Sequence, residues 1–172
     1  MASIVLTLIG DDQPGLVDAL ATVINEHGGN WEESRMAQLA GKFAGILLVS
    51  IADDKAQALS SALHALETRG LLHITAEQSS VEPAPPSREL YLELVGQDHP
   101  GIVRDISHAL ATRDVSIEEL NSVTESASMG GGELFRAELL LRVPDTVSSD
   151  ELQALLEELA NELMVDINVE DS

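Results

Sequence analysis

The chain has 172 residues, of which 30 are acidic and 9 basic, giving a formal net charge of −21, and it contains no cysteine. Because nucleic-acid binding depends on neutralising phosphates with Lys and Arg, this charge argues against direct contact with DNA, RNA or an anionic membrane. The lack of cysteine excludes a disulfide framework and a thiolate metal site or nucleophile. No apolar run reaches the ~18 residues typical of a membrane span, so the sequence predicts a cytoplasmic protein.

The apolar residues of the first half predict six secondary-structure elements. Leu16, Leu20 and Ile24 recur at helical spacing before Gly28-Gly29, which indicates a helix and its end. The predicted elements are, in chain order, a strand at 4–9, a helix at 16–27, a hairpin of strands at 30–39 and 42–51, a helix containing Leu59, Leu63 and Leu66, and a strand at 71–76. Residues 30–36 do not alternate between apolar and polar, which predicts a β-bulge or a polar partner there.

The second half of the chain repeats the first. The segment Gly10-Asp11-Asp12-Gln13-Pro14-Gly15-Leu16-Val17 returns 86 positions later as Gly96-Gln97-Asp98-His99-Pro100-Gly101-Ile102-Val103. Residues 43–49 correspond to 135–141 at an offset of 92, so the extra residues lie between, where three consecutive glycines predict an expanded hairpin. The same six elements are therefore expected again, and Ser148 with Glu151 predicts a capping box at the start of the last helix.

Three of the six prolines stand between the two copies, within residues 82–87. A Pro-rich stretch without apolar periodicity indicates an extended linker. We therefore predict a first domain at 1–79, a linker at 80–88 and a second domain at 89–172. The order βαββαβ predicts, for each domain, a four-stranded antiparallel sheet with two helices on one face, which is the ferredoxin-like arrangement of the α+β class.

The two copies differ on the sheet face that no helix covers. In the first copy, strand 43–51 carries apolar residues on both sides, among them Ile46 and Leu48 on the second side. The matching strand at 135–143 has charged residues on one side, as expected of a solvated face. We infer that the open face of the first copy is covered by the second copy or by another chain, which makes a homodimer one expected state.

The repeated Asp-x-Pro-Gly turn is the strongest local feature of the sequence. It joins a strand to a helix N-terminus, where free backbone N–H groups and the helix dipole favour a carboxylate or phosphate. Gly15 and Gly101 allow a close approach of a ligand, and the carboxylate of Asp12 or Asp98 can hold an ammonium group. Each turn can therefore recognise both ends of a free amino acid. The simpler interpretation is that the two aspartates cap their helices, because Asp is a preferred N-cap.

Other polar residues do not form a catalytic or metal-binding pattern. Glu32-Glu33 and Glu118-Glu119 are acidic pairs, but adjacent strand residues point to opposite faces, so a solvated or ion-paired edge is expected. The five histidines lack the spacing of a metal site. No Ser/His/Asp or similar nucleophilic motif is present. The sequence therefore predicts no metal, no cofactor and no enzymatic activity.

Two βαββαβ units that each open with Gly-x-Asp-x-Pro-Gly-[Leu/Ile]-Val resemble tandem ACT domains, over essentially the whole chain outside the linker. ACT domains are regulatory modules that commonly bind amino acids at interfaces between paired domains. The segment at 30–39, followed by Phe43, is similar to the corresponding stretch of the glycine cleavage system transcriptional repressor family, which consists of two ACT domains and little else. That resemblance implies action through an activator protein, and the charge of the chain agrees.

The resemblance also implies which residues bind a ligand. In ligand-binding ACT domains the contacts come from the turn after the first strand and from the start of the second strand. By motif match these are Asp12, Gln13, Gly15 and Asn30 in the first unit, and Asp98, His99, Gly101 and Ser116 in the second. Ser116 replaces the asparagine of the first copy and loses its amide, so the two sites are expected to differ in affinity.

We therefore expect a non-enzymatic regulator that binds a small amino acid, with glycine as the leading candidate, and changes its contact with a transcription factor or other protein. One alternative is a ligand-independent protein-interaction module whose turns are helix caps. Another is a regulatory subunit of an amino-acid metabolic enzyme, with a separately encoded catalytic partner because this chain leaves no room for a catalytic domain. A metal-dependent hydrolase that uses the paired carboxylates is the most distant alternative.

Overall fold

A computed structural model of the chain describes residues 1–80 and 82–171, without the side chain of residue 171. The chain divides into two compact units, Met1–Glu82 and Pro83–Ser172. Within the segment predicted as a linker, Val81 lies outside the described residues, and Ser172 of the predicted second domain does so too. The linker at 80–88 stays a prediction, although the first strand of the second unit already begins at Ser87.

The first unit has one helix between its first two strands and another between its last two. Its elements are β1 (Ala2–Asp11), α1 (Leu16–Glu26), β2 (Asn30–Leu39), β3 (Lys42–Ile51), α2 (Ala56–Thr68) and β4 (His73–Gln78), with a short 3₁₀ turn at Asp53–Lys55 before α2. The strands form an antiparallel sheet in the order β2-β3-β1-β4. The central strands are therefore β1 and β3, and the edges are β2 and β4.

The second unit repeats this arrangement. Its elements are β5 (Ser87–Gln97), α3 (Ile102–Ala111), β6 (Ser116–Ser126), β7 (Glu133–Pro144), α4 (Ser149–Leu163) and β8 (Val165–Asp171), with a 3₁₀ turn at Ser128–Gly130. The sheet is antiparallel in the order β6-β7-β5-β8, which is the order of the first unit. The predicted ferredoxin-like α+β fold is confirmed for both units.

Alternation along the central strands sets the side of the sheet on which each core forms. In β1, Ile4, Leu6 and Leu8 are almost fully buried, while the residues between them are more exposed. Because strand side chains alternate between faces, these three residues lie on one face. Leu16, Leu20 and Ile24 of α1 and Leu59, Leu63 and Leu66 of α2 belong to the same buried cluster. Burying each such side chain contributes ~1.5–3 kcal/mol, so this apolar layer fixes the position of both helices.

The hairpin that joins β6 to β7 contains the predicted insertion. The backbone N–H of Ala127 donates to the carbonyl of Gly132 at 2.8 Å, which closes the hairpin around the 3₁₀ turn. Gly130 and Gly132 have positive φ angles of 74° and 87°, which glycine adopts without steric cost. The glycines thus allow the expanded loop that the shift in repeat offset predicts.

Both second strands contain a β-bulge near their start. The register of β2 against β3 shifts between Trp31 and Glu33, and that of β6 against β7 shifts between Ile117 and Glu119. The predicted irregularity at 30–36 is therefore a bulge. Trp31, at the start of the first bulge, and Met36, beyond it, pack against the core of the first unit.

The open faces of the two sheets differ in chemistry, as the sequence predicts. In the first unit, the register aligns Thr7 with Ile46 and Ile9 with Ala44, and both isoleucines are 49% exposed. In the second unit, the guanidinium of Arg136 lies 3.4 Å from the carboxylates of Glu93 and Glu125 across neighbouring strands. The inference that a second copy or unit covers the apolar face stays a prediction.

A complete capping box begins α4. The backbone N–H of Glu151 donates to Oγ of Ser148 at 3.2 Å, and the backbone N–H of Ser148 donates to Oε2 of Glu151 at 2.9 Å. This reciprocal pair satisfies two N–H groups that the helix itself leaves without acceptors, and it confirms the predicted box.

We expect Ser148→Ala to lower the free energy of unfolding by ~1 kcal/mol, because the substitution removes the acceptor for the Glu151 amide. Ser149→Ala at the next position is the matched control and should change stability by less than ~0.5 kcal/mol. Urea denaturation of both variants measures the difference. Equal losses in the two variants would contradict the role assigned to the cap.

The same capping box predicts that the stability of the protein depends on pH. The hydrogen bond from the backbone N–H of Ser148, followed by that from its hydroxyl, lowers the pKa of Glu151. A lowered folded-state pKa adds stability above the ordinary glutamate range, and that contribution is lost as the pH falls through the lowered value. The stability difference between wild type and Glu151→Gln should therefore shrink as the solution is acidified below that range. Glu158→Gln, on the same helix, controls for loss of a charge, and a difference that stays constant with pH would refute the assignment.

Candidate functional site

The turn after β1 is held in place by backbone hydrogen bonds. The backbone N–H of Asp12 donates to the carbonyl of Gly41, at the tip of the β2–β3 hairpin, over 2.9 Å. Gly15 is the N-cap of α1, with φ of 92° and ψ of 2°, and its carbonyl accepts the N–H of Ala19 at 2.9 Å. The side chains of Asp12 and Gln13 are exposed. The turn therefore presents polar side chains and a helix start on a fixed backbone.

The turn after β5 has the same construction. The backbone N–H of Asp98 donates to the carbonyl of Glu133, the first residue of β7, over 2.9 Å. Gly101 is the N-cap of α3, with φ of 88°, and accepts the N–H of Asp105 at 3.0 Å. His99 is half-buried, whereas Asp98 is exposed. The structure thus brings together Asp12, Gln13 and Gly15 in one turn and Asp98, His99 and Gly101 in the other.

The prediction that Asp12 and Asp98 cap their helices is wrong. The N-cap of each helix is the glycine three residues later, and no side chain accepts a hydrogen bond from the first turn. Both glycines adopt the left-handed conformation, which an aspartate in the same place would populate only at a cost of ~1–2 kcal/mol. No side chain caps the start of α1 or α3, and the N–H of Ile102 at the start of α3 donates to the carbonyl of His99 at 3.4 Å. The N–H groups of a first helical turn that lack such an acceptor can bind an anion.

The two turns differ in charge. In the first turn Asp11 forms an ion pair with Lys42 of β3, and this hydrogen bond lowers the pKa of Asp11. Asp12 and Asp18 add two further acidic groups near the helix start. In the second turn Arg104 stands at the place of Asp18, 86 positions later, and its guanidinium pairs with Asp105 at 2.8 Å. The second turn is therefore the less repulsive of the two toward a carboxylate.

Asn30 does not lie with the turn of its own unit. Asn30 aligns with Ser50 of β3, and Ser50 aligns with Ser3 at the opposite end of β1 from the turn. From Lys42, beside the turn, β3 runs eight residues to Ser50, which at ~3.3 Å per residue is ~26 Å. Ser116 aligns with Arg142 and is separated from Asp98 in the same way. Within one unit, the predicted residues therefore belong to two separate places.

A small polar cluster surrounds Asn30 that the sequence pattern did not reveal. Its amide Nδ2 donates to Oε1 of Glu32 at 2.8 Å, and the hydroxyl of Ser50 donates to the same oxygen. The hydrogen bonds from Ser50 and then Asn30 lower the pKa of Glu32. The bulge makes this possible, because it turns Glu32 toward the strand that carries Ser50. In the second unit Glu118 at the matching bulge forms an ion pair with Arg142 instead.

The first unit also has a shallow cavity beside its turn. Its volume is about 400 Å³, and its lining includes the Asp11–Lys42 pair. His73 of β4, whose Nδ1 contacts the carboxylate of Glu67, lines the same cavity. Lys42 is one of two lysines in the chain. Asp11 and Lys42 meet because β1 pairs with β3, so their contact depends on the register of two strands that are distant in sequence.

Among residues 1–80 and 82–171, no group of three or more His, Asp or Glu side chains is placed to hold a metal ion. None of the helices in those ranges has the length and apolarity needed to span a bilayer.

Residues 2–76, which run from β1 into β4, match the family model of the ACT domain. The second unit has the same element order and the same sheet order. The first unit is therefore an ACT domain, and the second unit repeats the ACT fold. Two crystal structures share this architecture over nearly the whole chain, and each ACT unit of our chain can therefore be compared with a solved fold.

The first of these structures is an unknown protein from Galdieria sulphuraria, 31% identical, with a TM-score of 0.88 over 99% of this chain and 98% of that one. The second is a protein described as a glycine cleavage system transcriptional repressor, 19% identical, with a TM-score of 0.74 over 98% of this chain and 96% of that one. The second likeness shows a shared fold. Both cover the two ACT units together.

Among curated proteins, the glycine cleavage system transcriptional repressor of Escherichia coli (strain K12) is similar to this chain. The two are 23% identical over 161 residues, which is 93% of this chain and 85% of the repressor. The alignment therefore includes both ACT units of our chain and most of the length of a regulatory protein.

The glycine caps lead to a stability prediction. We expect Asp12→Ala to change the free energy of unfolding by less than ~0.5 kcal/mol, because its side chain does not cap α1. Gly15→Ala should cost ~1–2 kcal/mol, because alanine is strained at a φ of 92° even though nothing lies within 4 Å of its Cβ. Chemical denaturation of the two variants tests both. A loss of ~1 kcal/mol or more in Asp12→Ala would restore the cap interpretation.

Proposed function

We propose that this tandem ACT-domain protein is a non-enzymatic, amino-acid-responsive regulator of the glycine cleavage type, which acts through a protein partner. The observation that carries the proposal is the alignment over 161 residues with the Escherichia coli repressor, combined with the tandem ACT fold. Fold alone does not imply function, so the chemistry of the turns must also fit an amino acid.

The turns offer complementary groups for a zwitterion. A carboxylate at Asp12 or Asp98 can accept hydrogen bonds from an ammonium group, and the uncapped N–H groups of α1 or α3 can bind a carboxylate. At Gly15 the position of a Cβ is open, with no heavy atom within 4 Å, so a ligand can approach the backbone. A small amino acid such as glycine, which has no side chain to accommodate, suits this arrangement best.

Asn30 and Ser116 enter this proposal only through a second ACT unit. Within one unit they lie ~26 Å or more from the turn by strand geometry, which exceeds the length of any amino acid. A ligand that contacts both groups must therefore be shared by two ACT units, from one chain or from two copies. Such a ligand would bind one arrangement of units more tightly and shift the population toward it, which is the basis of regulation by linkage.

The net charge supports a protein partner in place of DNA. With a charge of −21, the chain would gain little affinity from phosphate contacts and would be repelled by the duplex. We therefore propose that any effect on transcription passes through a transcription factor. A partner with basic groups would suit the acidic surface.

A ligand-independent interaction module is the second candidate. It is favoured by the exposed apolar side chains on the open face of the first unit, where Ile9 and Ile46 are each 49% exposed. An apolar sheet face that is not covered by helices is typical of a contact surface. A regulatory subunit of an amino-acid metabolic enzyme would use the same surface.

Titration calorimetry with glycine and a panel of other amino acids tests the first candidate. We expect saturable binding, weakened at least ~10-fold by Asp12→Ala or Asp98→Ala, because each removes a charged hydrogen-bond acceptor. Asp54→Ala is the control, since it removes one carboxylate before α2, at the end of the first sheet opposite to the turn that contains Asp12. The comparison of Asp12→Ala with Asp98→Ala shows which turn binds more tightly.

Two results would overturn this assignment. If no amino acid gives a heat of binding at millimolar concentration, the protein is not an amino-acid sensor. If binding occurs but neither aspartate variant changes it, the ligand site lies elsewhere. Sedimentation velocity with and without glycine then distinguishes the amino-acid sensor from the ligand-independent interaction module. The module should show the same association state in both conditions.

A further inference from the structure

A second cavity lies in the second ACT unit, between α4 and the strands β5 and β8. Its volume is about 460 Å³, within the ~300–1,000 Å³ typical of small-molecule sites. Most of its wall is aliphatic, and the apolar side chains are Leu90, Leu152, Leu156, Ala160, Ile167 and Val169. Val169 is 47% exposed at this edge of the sheet, so the cavity opens to solvent there.

Arg88 is the one cationic side chain among the described residues of the lining. It is the second residue of β5, and alternation with the buried Leu90, Leu92 and Leu94 places it on the helix-covered face. Its Nη2 atom is buried and has no hydrogen-bond partner in the part of the chain that the structure describes. A buried donor without an acceptor costs the desolvation of that group, and more so for a charged one.

The internal repeat shows that the fold does not require an arginine at this position. Arg88 aligns with Val143 of β7, and the matching pair in the first unit is Ala2 with Ile51 of β3. The first unit thus forms the same sheet with alanine there. The guanidinium is therefore an addition in the second unit, and its Nη2 atom, which has no acceptor among the side chains of residues 1–80 and 82–170, is able to bind an anionic group.

The polar residues at the rim of the cavity limit the negative charge that a ligand of Arg88 can carry. Ser149, Gln153 and Asn168 supply neutral polar atoms, and Glu157 supplies a carboxylate. The amide Nε2 of Gln153 donates to Oε1 of Glu157 at 3.0 Å, which holds this negative charge on α4. A ligand with two negative charges would be repelled by Glu157, whereas one carboxylate can pair with the arginine.

We propose that this cavity is a binding site for a monocarboxylate with a short, branched aliphatic chain. The carboxylate accepts hydrogen bonds from the guanidinium of Arg88, which matches carboxylate geometry in a bidentate manner. The aliphatic chain covers the leucine and isoleucine side chains between α4 and β8. The neutral polar groups at the rim contact the solvent-facing end.

This site is separate from the turn that we propose for amino acids. Arg88 lies at the beginning of β5, and Asp98 follows the end of the same strand, ten residues away. At ~3.3 Å per residue the two are ~33 Å apart. The inference therefore does not rest on the proposed function, and a failure of either can be recognised without the other.

The test uses 4-methylpentanoate as the probe and the full chain as the protein. We expect titration calorimetry to show binding of this acid and at least ~10-fold weaker binding of its amide, 4-methylpentanamide, because the amide lacks the charge that pairs with arginine. Glutarate should also bind at least ~10-fold more weakly. In methyl NMR of the wild type, the signals of Leu152, Leu156 and Ile167 should shift, while those of Leu59 and Leu63 in the first unit should not.

Variants of the arginine provide the second arm of the test. Arg88→Gln should weaken binding of the acid at least ~10-fold and leave that of the amide unchanged. Arg69→Gln, which removes the same charge from an exposed position after α2, is the matched control and should bind as wild type does. Equal binding of acid and amide, or no shift of the cavity methyl groups at millimolar acid, would overturn the proposal.

The stability of the ligand-free protein separates a binding role from a structural one. Arg88→Met keeps an unbranched apolar stem but removes the unpaired donor, so its melting temperature should equal or exceed that of wild type. The same variant should gain no stability from 4-methylpentanoate, whereas wild type should. A lower melting temperature of Arg88→Met without ligand would show that the guanidinium serves the fold, and would contradict the proposal.

Discussion

Each ACT unit depends on burying one face of a four-stranded sheet under two helices. The alternating leucine, isoleucine and valine residues of β1, β3, β5 and β7 supply that face, and the helices cover it with residues at helical spacing. The same constraint leaves the opposite face uncovered and places every strand-to-helix connection at one of two ends of the sheet. The packing of this buried layer fixes the positions of the turns at Gly15 and Gly101, of the bulges and of the cavity beside Arg88.

Much of the fold was predictable from the sequence, because the repeat shows each pattern of apolar and turn residues twice. The element order, the capping box at Ser148 and the irregular second strand all follow from local spacing. The N-caps could not be assigned from local spacing, because the segment Asp-x-Pro-Gly contains two acceptable cap residues, the aspartate and the glycine. Only the backbone angle at Gly15 decides between them. The separation of Asn30 from the turn follows from the predicted topology, because the helix returns the chain to the end of the sheet where β1 begins, and the strand register confirms it.

The two units share a fold but have diverged in charge. The first unit has an acidic turn and an apolar open face, whereas the second has Arg104 beside its turn and ion pairs across its open face. At corresponding positions the first unit has Ala2 and the second has Arg88, so here too the second unit carries the additional positive charge. Comparison of the copies could have identified Arg88 from the sequence, but its missing hydrogen-bond partner is visible only when the cavity around it is known.

The hydrogen bonds from Asp12 to Gly41 and from Asp98 to Glu133 have a mechanical consequence. Each ties the loop before a helix to the hairpin that joins the second and third strands of the same unit. In each unit this bond continues the pairing of the first and third strands by one residue into the loop. A ligand that displaces the loop backbone must therefore break this bond or carry the neighbouring end of the hairpin with it.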